Sequence, residues 1–175
     1  LFPYVYIWRK SSLNLLLVFV IIVVVSNNSE QRFKEWLENK GYAYLYIDQS
    51  LDCFSSLFKG VTKRPDFLVV INSIGIIAVD VKERKIYEKY ESFVIDEEEI
   101  QKLLSFERIF RIPIWLAFSV EAVQFRTWYW VSLSEVVEKI SLNTSSKNDK
   151  PFRPIPMKIC KTIGWESGLS SLFGL

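Results

Sequence analysis

The chain has 175 residues, half of them apolar and 24% charged, which is the length and composition of one globular domain. It contains no histidine and only two cysteines, Cys53 and Cys160. These counts exclude a structural zinc site with four Cys or His ligands and catalysis by a Ser-His-Asp or Cys-His unit. The net charge of +2 equals the contribution of Arg9 and Lys10, so overall charge gives no argument for a nucleic-acid partner.

The first 25 residues differ from the rest of the chain. Leu15–Val25 is an unbroken apolar run of 11 residues that follows two basic residues. The run is shorter than the ~20 residues of a membrane-spanning helix, and no small-residue cleavage site of a signal peptide follows it. A buried strand also fits its many valines and isoleucines. Because the sequence starts at Leu1 and not at methionine, an artefactual extension is as well supported as a membrane anchor.

The remainder of the chain alternates between helical and extended patterns. A helix is predicted between the capping residues at 26–29 and Gly41, with Phe33, Trp36 and Leu37 on one face. Two further helices are predicted at 97–110 and 132–140. Short apolar runs predict strands at 42–47, 66–71, 75–81, 91–95, 112–119 and 127–131.

This order of elements predicts an α/β fold in which a central mixed sheet is flanked by helices. The domain proper is expected at 26–140. Residues 48–64 are expected to hold a helical turn at 51–58 and then a basic loop. Residues 141–175 are expected to be a loop and irregular cover of the same domain.

Three residues near the ends of two neighbouring strands carry the candidate chemistry. Asp66 begins one strand directly after Pro65, and Asp80 and Lys82 leave the same face of the next strand because they are two residues apart. If the strands pair as a hairpin, Asp66 and Asp80 come close together. Two adjacent carboxylates repel each other unless a cation lies between them, and Mg²⁺ prefers oxygen ligands. With Lys82 to stabilise a phosphate oxygen, these are the parts of metal-assisted phosphodiester hydrolysis.

Pro65-Asp66 and Asp80-Val81-Lys82, with 13 residues between the two aspartates, resemble the signature of the PD-(D/E)XK nuclease superfamily. Glu30 lies eleven residues before Gly41-Tyr42, as a glutamate of the first helix does in Holliday junction resolvase-like members. Residues 95–118 resemble the helix and strand that follow the motif in those resolvases. The resemblance covers residues 29–119.

The resemblance implies a restriction-endonuclease-like three-layer fold that cuts DNA, or sometimes RNA, with Mg²⁺ or Mn²⁺, often as a homodimer. The two cysteines lie 107 positions apart and form no disulfide framework, which favours a reducing compartment and predicts a cytoplasmic location. It implies metal ligation by Asp66, Asp80 and the Val81 carbonyl, with Glu30 completing or orienting the site. Lys82 would be the catalytic lysine. Gln101 would be a supporting polar residue on the following helix.

Two of these residues have simpler interpretations. Glu30 would be a capping glutamate at the third helical position if Asn27 caps the helix, and this role and the site role are equally well supported. Gln101 is more simply a solvated helix residue. In the same helix, Asp96 and Glu99 are placed to form a capping box, and Glu97–Glu99 are most simply first-turn acids that complement the helix dipole.

The stretch from Lys59 to Lys89 has seven basic and four acidic residues, a local charge of +3. Five of its basic residues are candidates for contacts with nucleic-acid phosphates: Lys59, Lys63, Arg64, Arg84 and Lys85. A pair of solvated, charged loops explains them equally well. Trp128 and Trp130 alternate to one face of a strand, where packing against a helix is favoured over stacking on bases.

The sequence therefore predicts a divalent-metal-dependent endonuclease. One alternative is an inactive member of the same fold that binds nucleic acid or a protein partner without cutting. A second alternative, based on Leu15–Val25, is a membrane-tethered domain of another role.

Overall fold

The computed structural model describes residues 28–146 and 148–174. The apolar segment at 1–25, with its alternative interpretations, lies outside the described residues. No helix within these two described ranges is long and apolar enough to cross a membrane.

The described residues form four helices and nine strands. The helices are α1 (Ser29–Lys40), α2 (Glu97–Phe110), α3 (Leu133–Lys139) and α4 (Ser170–Phe173). The strands are β1 (Tyr44–Tyr46), β2 (Phe67–Ile71), β3 (Gly75–Glu83), β4 (Ser92–Asp96), β5 (Ile114–Ser119), β6 (Thr127–Ser132), β7 (Asn143–Thr144), β8 (Pro151–Pro156) and β9 (Lys161–Gly164).

Six strands form the central sheet, in the order β1-β2-β3-β5-β6-β9. The β3–β5 pair is parallel, and the other neighbours in the sheet are antiparallel. Helix α1 packs on one face of the sheet, and α2 and α3 pack on the other. The predicted class, a mixed central sheet flanked by helices, is therefore confirmed.

Helix α1 is delimited by two sequence signals. The Asn28 side chain accepts a hydrogen bond from the Gln31 N–H at 2.8 Å, which satisfies one of the free donors at the helix start. Gly41 ends the helix with φ of 70°, a left-handed conformation that glycine adopts without steric cost. Between these ends, Phe33, Trp36 and Leu37 are fully buried against the sheet.

Five fully buried rings form an aromatic cluster between α1 and the sheet: Phe33, Trp36, Phe67, Trp128 and Trp130. The ring centroids of Trp36 and Trp128 lie 4.9 Å apart, and those of Phe33 and Phe67 lie 5.1 Å apart. At ~150–250 Å² of buried area and ~25 cal/mol per Å², each ring contributes roughly 4–6 kcal/mol. Base stacking by Trp128 and Trp130 is ruled out because both rings are inside this cluster, as the packing interpretation predicted.

Residues 151–174 form strands and a helix, so their prediction as irregular cover was wrong. Strand β9 extends the central sheet, and β8 joins β4 and β7 in a second, three-stranded sheet. The Trp165 ring stacks on Trp128 with centroids 6.0 Å apart, and the Leu169 N–H donates to the Tyr42 hydroxyl at 2.7 Å. Long-range contacts with the aromatic cluster thus order this segment.

Smaller differences concern element bounds. The loop at 48–64 holds two short 3₁₀ turns, Leu51–Cys53 and Ser56–Phe58, where one helical turn was predicted. Strand β1 is shorter than predicted. Strand β3 continues to Glu83 because it pairs with β5 beyond the end of the hairpin, which places Lys82 within regular structure.

Candidate active site

The β2–β3 hairpin brings the predicted aspartates together. Phe67 lies opposite Val79 in the antiparallel register, and the Asp66 N–H donates to the Val79 carbonyl at 3.0 Å. One Asp66 carboxylate oxygen, Oδ2, accepts a hydrogen bond from the Val81 N–H at 2.7 Å. Asp66 is therefore fixed beside the strand that carries Asp80.

Asp80 is completely buried, and two lysines supply its counter-charges. Its Oδ1 accepts from the Lys63 ammonium at 3.0 Å, and its Oδ2 is paired with the ammonium of Lys82. A carboxylate without solvent is stable only when it is paired in this way. Lys63 comes from the loop before β2, so residues from two separate segments surround Asp80.

Glu99, in the first turn of α2, connects both lysines to the helix. Its Oε1 lies 2.9 Å from the Lys82 Nζ and is also hydrogen-bonded to the Lys63 Nζ. Its Oε2 lies 3.6 Å from an Arg84 guanidinium nitrogen. Burial alone would raise the pKa of Glu99, but Lys82 and Lys63 more than offset this and hold the pKa at about 2. We call Asp80, Lys82, Lys63 and Glu99 the charged network.

The pKa of Lys63 is also shifted by the other members of the charged network. Burial favours the neutral amine, but the Asp80 and Glu99 carboxylates outweigh burial and raise the pKa of Lys63 above its usual value. The charged form of Lys63 is therefore favoured beside Asp80.

Glu99 is the residue that the sequence analysis did not assign to the site. A capping role was predicted for it, but the Asp96 side chain at the helix N-cap makes no capping hydrogen bond. Helical spacing could have identified it, because Leu103 and Phe106 follow at i+4 and i+7 and are both buried. Glu99 thus lies on the face of α2 that packs on the sheet.

Gln101, in contrast, is not part of the site. It is exposed, and its amide donates to Glu97 one turn earlier at 2.7 Å. The supporting role that the resemblance implied for Gln101 is therefore not met by its position, since i+3 and i+4 spacing turns it away from the sheet.

Glu30 approaches the aspartates from the α1 side of the sheet. Its Oε2 accepts from the Tyr46 hydroxyl at 3.1 Å. Burial, then the Glu30 charge, raises the pKa of Tyr46 to about 12, so the hydroxyl remains a donor. The helix is capped by Asn28, not by the predicted Asn27. Glu30 is consequently the second helical residue, and the interpretation of Glu30 as a third-position capping glutamate was wrong.

Asp66 has an unusual proton affinity. Burial and the nearby Asp80 charge raise its pKa to about 7, with a smaller contribution from Glu30, while Lys82 and the Val81 N–H oppose the rise. The Asp80 charge thus disfavours the charged form of Asp66. An added cation between the two aspartates would offset this repulsion.

The five predicted phosphate-contact residues have different environments. Arg64 donates to the Asp48, Gln49 and Ser50 carbonyls at 2.7–2.9 Å, so it anchors the loop before β2 and has few donors left. Lys63 belongs to the charged network. Lys59 is exposed on a cleft of about 590 Å³ that also borders Lys63 and Glu99. Arg84 and Lys85 line a separate groove beyond the end of β3.

The resemblance implies a divalent metal ion, which needs oxygen donors from the site. Within the described residues, no three Asp, Glu or Cys side chains are grouped closely enough to hold an ion. Two carboxylates, Asp66 and Asp80, and the backbone carbonyl of Val81 supply hard oxygen donors of the kind that Mg²⁺ and Mn²⁺ bind. The raised pKa of Asp66 fits this donor set, because a divalent ion would stabilise both charged carboxylates.

The sequence and the structure are similar to those of known proteins. The sequence model of the archaeal Holliday junction resolvase family (Hjc) matches residues 26–150. One similar solved structure is Hjc, a Holliday junction resolvase of Archaeoglobus fulgidus. It is 18% identical, with a TM-score of 0.46, and the match covers 71% of this chain and 83% of that chain. No curated protein matches the sequence significantly. The resemblance to resolvase-like nucleases is confirmed: the chain belongs to the archaeal Holliday junction resolvase family.

Proposed function

We propose that the chain is a divalent-metal-dependent endonuclease that hydrolyses phosphodiester bonds in branched DNA. The observation that carries this proposal is the pairing of a fully buried Asp80 with Lys82 beside Asp66, at the end of the β2–β3 hairpin. Burying three charged groups costs free energy, and packing alone would favour apolar residues there. The arrangement is therefore better explained by chemistry than by stability.

Asp66, Asp80 and the Val81 carbonyl would hold the Mg²⁺ or Mn²⁺ ion. The bound ion would supply Lewis-acid activation of the phosphate and of the attacking water. Lys82 would present its ammonium group to the negative charge that develops on the phosphate. Because Lys82 is almost fully buried, its position depends on its partners and not on solvent.

Glu99 is a positioning residue in this proposal. It contacts Lys82 and Lys63 and so orients both ammonium groups relative to Asp80. Lys63 neutralises Asp80 in the absence of an added cation. Glu30, held by Tyr46, adds negative potential near Asp66 and would strengthen cation binding without being a direct ligand.

The DNA substrate is proposed from the family and from basic groups near the site. Lys59 and Lys85 are exposed, and no ion pair of either is found in the described part of the chain. They can therefore neutralise phosphates without first breaking an internal contact. Arg84 is partly engaged by Glu99, and Arg64 is retained as a loop anchor and not as a phosphate contact.

A homodimer is proposed from an apolar surface on the central sheet. Val70 and Ile76 are paired across β2 and β3, and Leu45 lies on β1 beside them on the same face. Their exposed fractions are 41%, 49% and 66%. An adjoining exposed apolar patch of this kind is typical of an interface. A twofold dimer would present two active sites to the related strands of a four-way junction. Val70→Asp should then lower the mass measured by light scattering to that of a monomer.

The deciding experiment compares cleavage of labelled four-way, nicked, linear and single-stranded DNA with Mg²⁺, Mn²⁺ or EDTA. We expect cutting of the junction only with a divalent ion, and a loss of at least ~1,000-fold in Asp80→Ala and Lys82→Ala. Glu98→Gln is the matched control, because Glu98 is exposed and bonded to Lys102 at 2.6 Å. Cutting in EDTA, or by the Asp80→Ala variant, would refute the mechanism. Binding without cutting would favour the inactive binding module.

A further inference from the structure

A groove of about 480 Å³ lies directly beyond the end of β3 and is not used by the proposed chemistry. Its lining consists of Arg84, Lys85, Ile86, Tyr87 and Val94. It thus contains two cations, one aromatic ring and two aliphatic side chains, and no acidic side chain lines it. The acids of the same loop, Glu88 and Glu91, are exposed outside the lining.

The groove is connected to the charged network through Arg84. The Arg84 N–H donates to the Ser119 carbonyl at 3.1 Å, which continues the β3–β5 pairing by one residue. The Arg84 guanidinium lies 3.6 Å from Glu99 Oε2, and Glu99 Oε1 lies 2.9 Å from the Lys82 Nζ. One intervening carboxylate therefore separates the groove from the proposed catalytic lysine.

Tyr87 combines an ordered backbone with an exposed ring. Its N–H donates to the Ser92 carbonyl at 3.0 Å, and the two residues form a β-bridge. Its side chain is 57% exposed and, within 28–146 and 148–174, has no hydrogen bond or ring contact. Lys85 also has no ion pair in these ranges. The backbone of the groove is therefore ordered, while its ring and one of its cations are available.

We propose that this groove binds one unpaired nucleotide of DNA next to the scissile phosphate, with its base stacked on Tyr87 and its phosphate beside Arg84 and Lys85. The proposal rests on the nuclease function above and specifies which part of a branched substrate the protein recognises. An unpaired nucleotide fits because bases inside a duplex already stack on both faces and cannot use the Tyr87 ring. Aromatic rings bind exposed bases with little sequence preference, and nearby cations bind the backbone.

Binding measurements in EDTA test the groove without requiring cleavage. Fluorescence anisotropy would give the affinity of the full chain for a four-way junction and for a linear duplex of the same strands. Tyr87→Ala should weaken junction binding by roughly 5-fold to 100-fold, and by more than it weakens duplex binding. Tyr87→Phe should retain the affinity, because it keeps the ring. Lys85→Ala should reduce the slope of log affinity against log salt by about 1.

Tyr90→Ala is the matched control, because Tyr90 is in the same loop and 66% exposed but does not line the groove. It should leave junction affinity unchanged. A 2-aminopurine base at the branch point should be more strongly quenched by the wild-type protein than by Tyr87→Ala. Thermal melting should show that Tyr87→Ala is folded.

The proposal is overturned if Tyr87→Ala and Tyr90→Ala lose equal affinity, or if Tyr87→Phe behaves like Tyr87→Ala. It is also overturned if Tyr87→Ala changes the oligomeric mass, because the groove would then be covered by a second copy of the chain. If the wild-type protein binds the junction but never cuts it, the nuclease function fails while these binding results still decide the groove.

Discussion

The two faces of the central sheet are stabilised in opposite ways. On the α1 face, the aromatic cluster fills the space between helix and sheet with ring centroids 4.9–6.4 Å apart. On the α2 face, beside ordinary apolar packing, the charged network places two carboxylates and two ammonium groups at the end of β3. Asp80 and Lys82 are buried like the rings, but burial stabilises the rings and destabilises the charges. Burial in itself therefore accounts for the aromatic cluster but not for the charged network.

The largest expected effect on stability comes from the aromatic cluster. Trp128→Ala should lower the free energy of unfolding by roughly 3–5 kcal/mol, because it removes a fully buried ring that contacts Phe33, Trp36 and Trp165. Urea titration followed by circular dichroism would measure the change. The cutting rate of the folded variant should stay close to wild type. A loss below about 1 kcal/mol would show that the cluster is not the main source of stability on this face.

The next prediction concerns Glu99, which belongs to the charged network on the α2 face of the sheet. Glu99→Gln keeps the shape and an acceptor oxygen but removes the negative charge shared by Lys82 and Lys63. We expect a 10-fold to 100-fold loss in kcat with little change in KM, as for residues that orient a catalytic group. Glu99→Asp should recover part of the rate. Equal losses in Glu99→Gln and the exposed control Glu98→Gln would contradict a positioning role.

The free energy of unfolding should depend on pH because Asp66 is buried close to Asp80. Because the pKa of Asp66 rises from the usual 3.8 to about 7, the folded protein binds the proton more tightly than the unfolded chain does. Between pH 4 and 7 the folded state therefore holds more protons, and Asp66 makes the free energy of unfolding fall as pH rises. Wild type should lose up to a few kcal/mol relative to Asp66→Asn over this range in EDTA. Parallel profiles for the two proteins would contradict the burial and repulsion assigned to Asp66.

The parts of the site that could be predicted from sequence are those set by local rules. Alternation within a strand placed Asp80 and Lys82 on one face, and a short hairpin placed Asp66 beside them. The position of Glu99 could have been predicted by the same kind of rule, because Leu103 and Phe106 follow it at helical spacing. The capping-box prediction concerned only the start of the helix, whereas this spacing relates Glu99 to the buried face of α2, where it contacts Lys82.

The C-terminal strands could not be predicted by local rules. Strand β8 contains three prolines, which cannot donate to a ladder and normally exclude a strand. Strand β7 pairs only with Pro151 and Phe152. Pro154 and Pro156 therefore pair on one side only, with β4, and such an edge position tolerates proline. This pairing joins segments about sixty residues apart, and no pattern within either segment encodes it.

The smallest effect is expected for Gln101, which is close to Glu99 in sequence but lies on the exposed side of α2. Gln101→Ala should leave the cutting rate unchanged and alter stability by less than about 0.5 kcal/mol, because the side chain is exposed and bonded only to Glu97 among the described residues. Glu97 keeps its stronger partner, Arg153, at 2.6 Å. Rates measured on the same junction for Gln101→Ala and Glu99→Gln make the comparison direct, since the two residues are two positions apart on one helix. A loss of activity in Gln101→Ala as large as that in Glu99→Gln would mean that α2 rotates when DNA binds. The face of α2 that touches the charged network here would then not be the face that acts in catalysis.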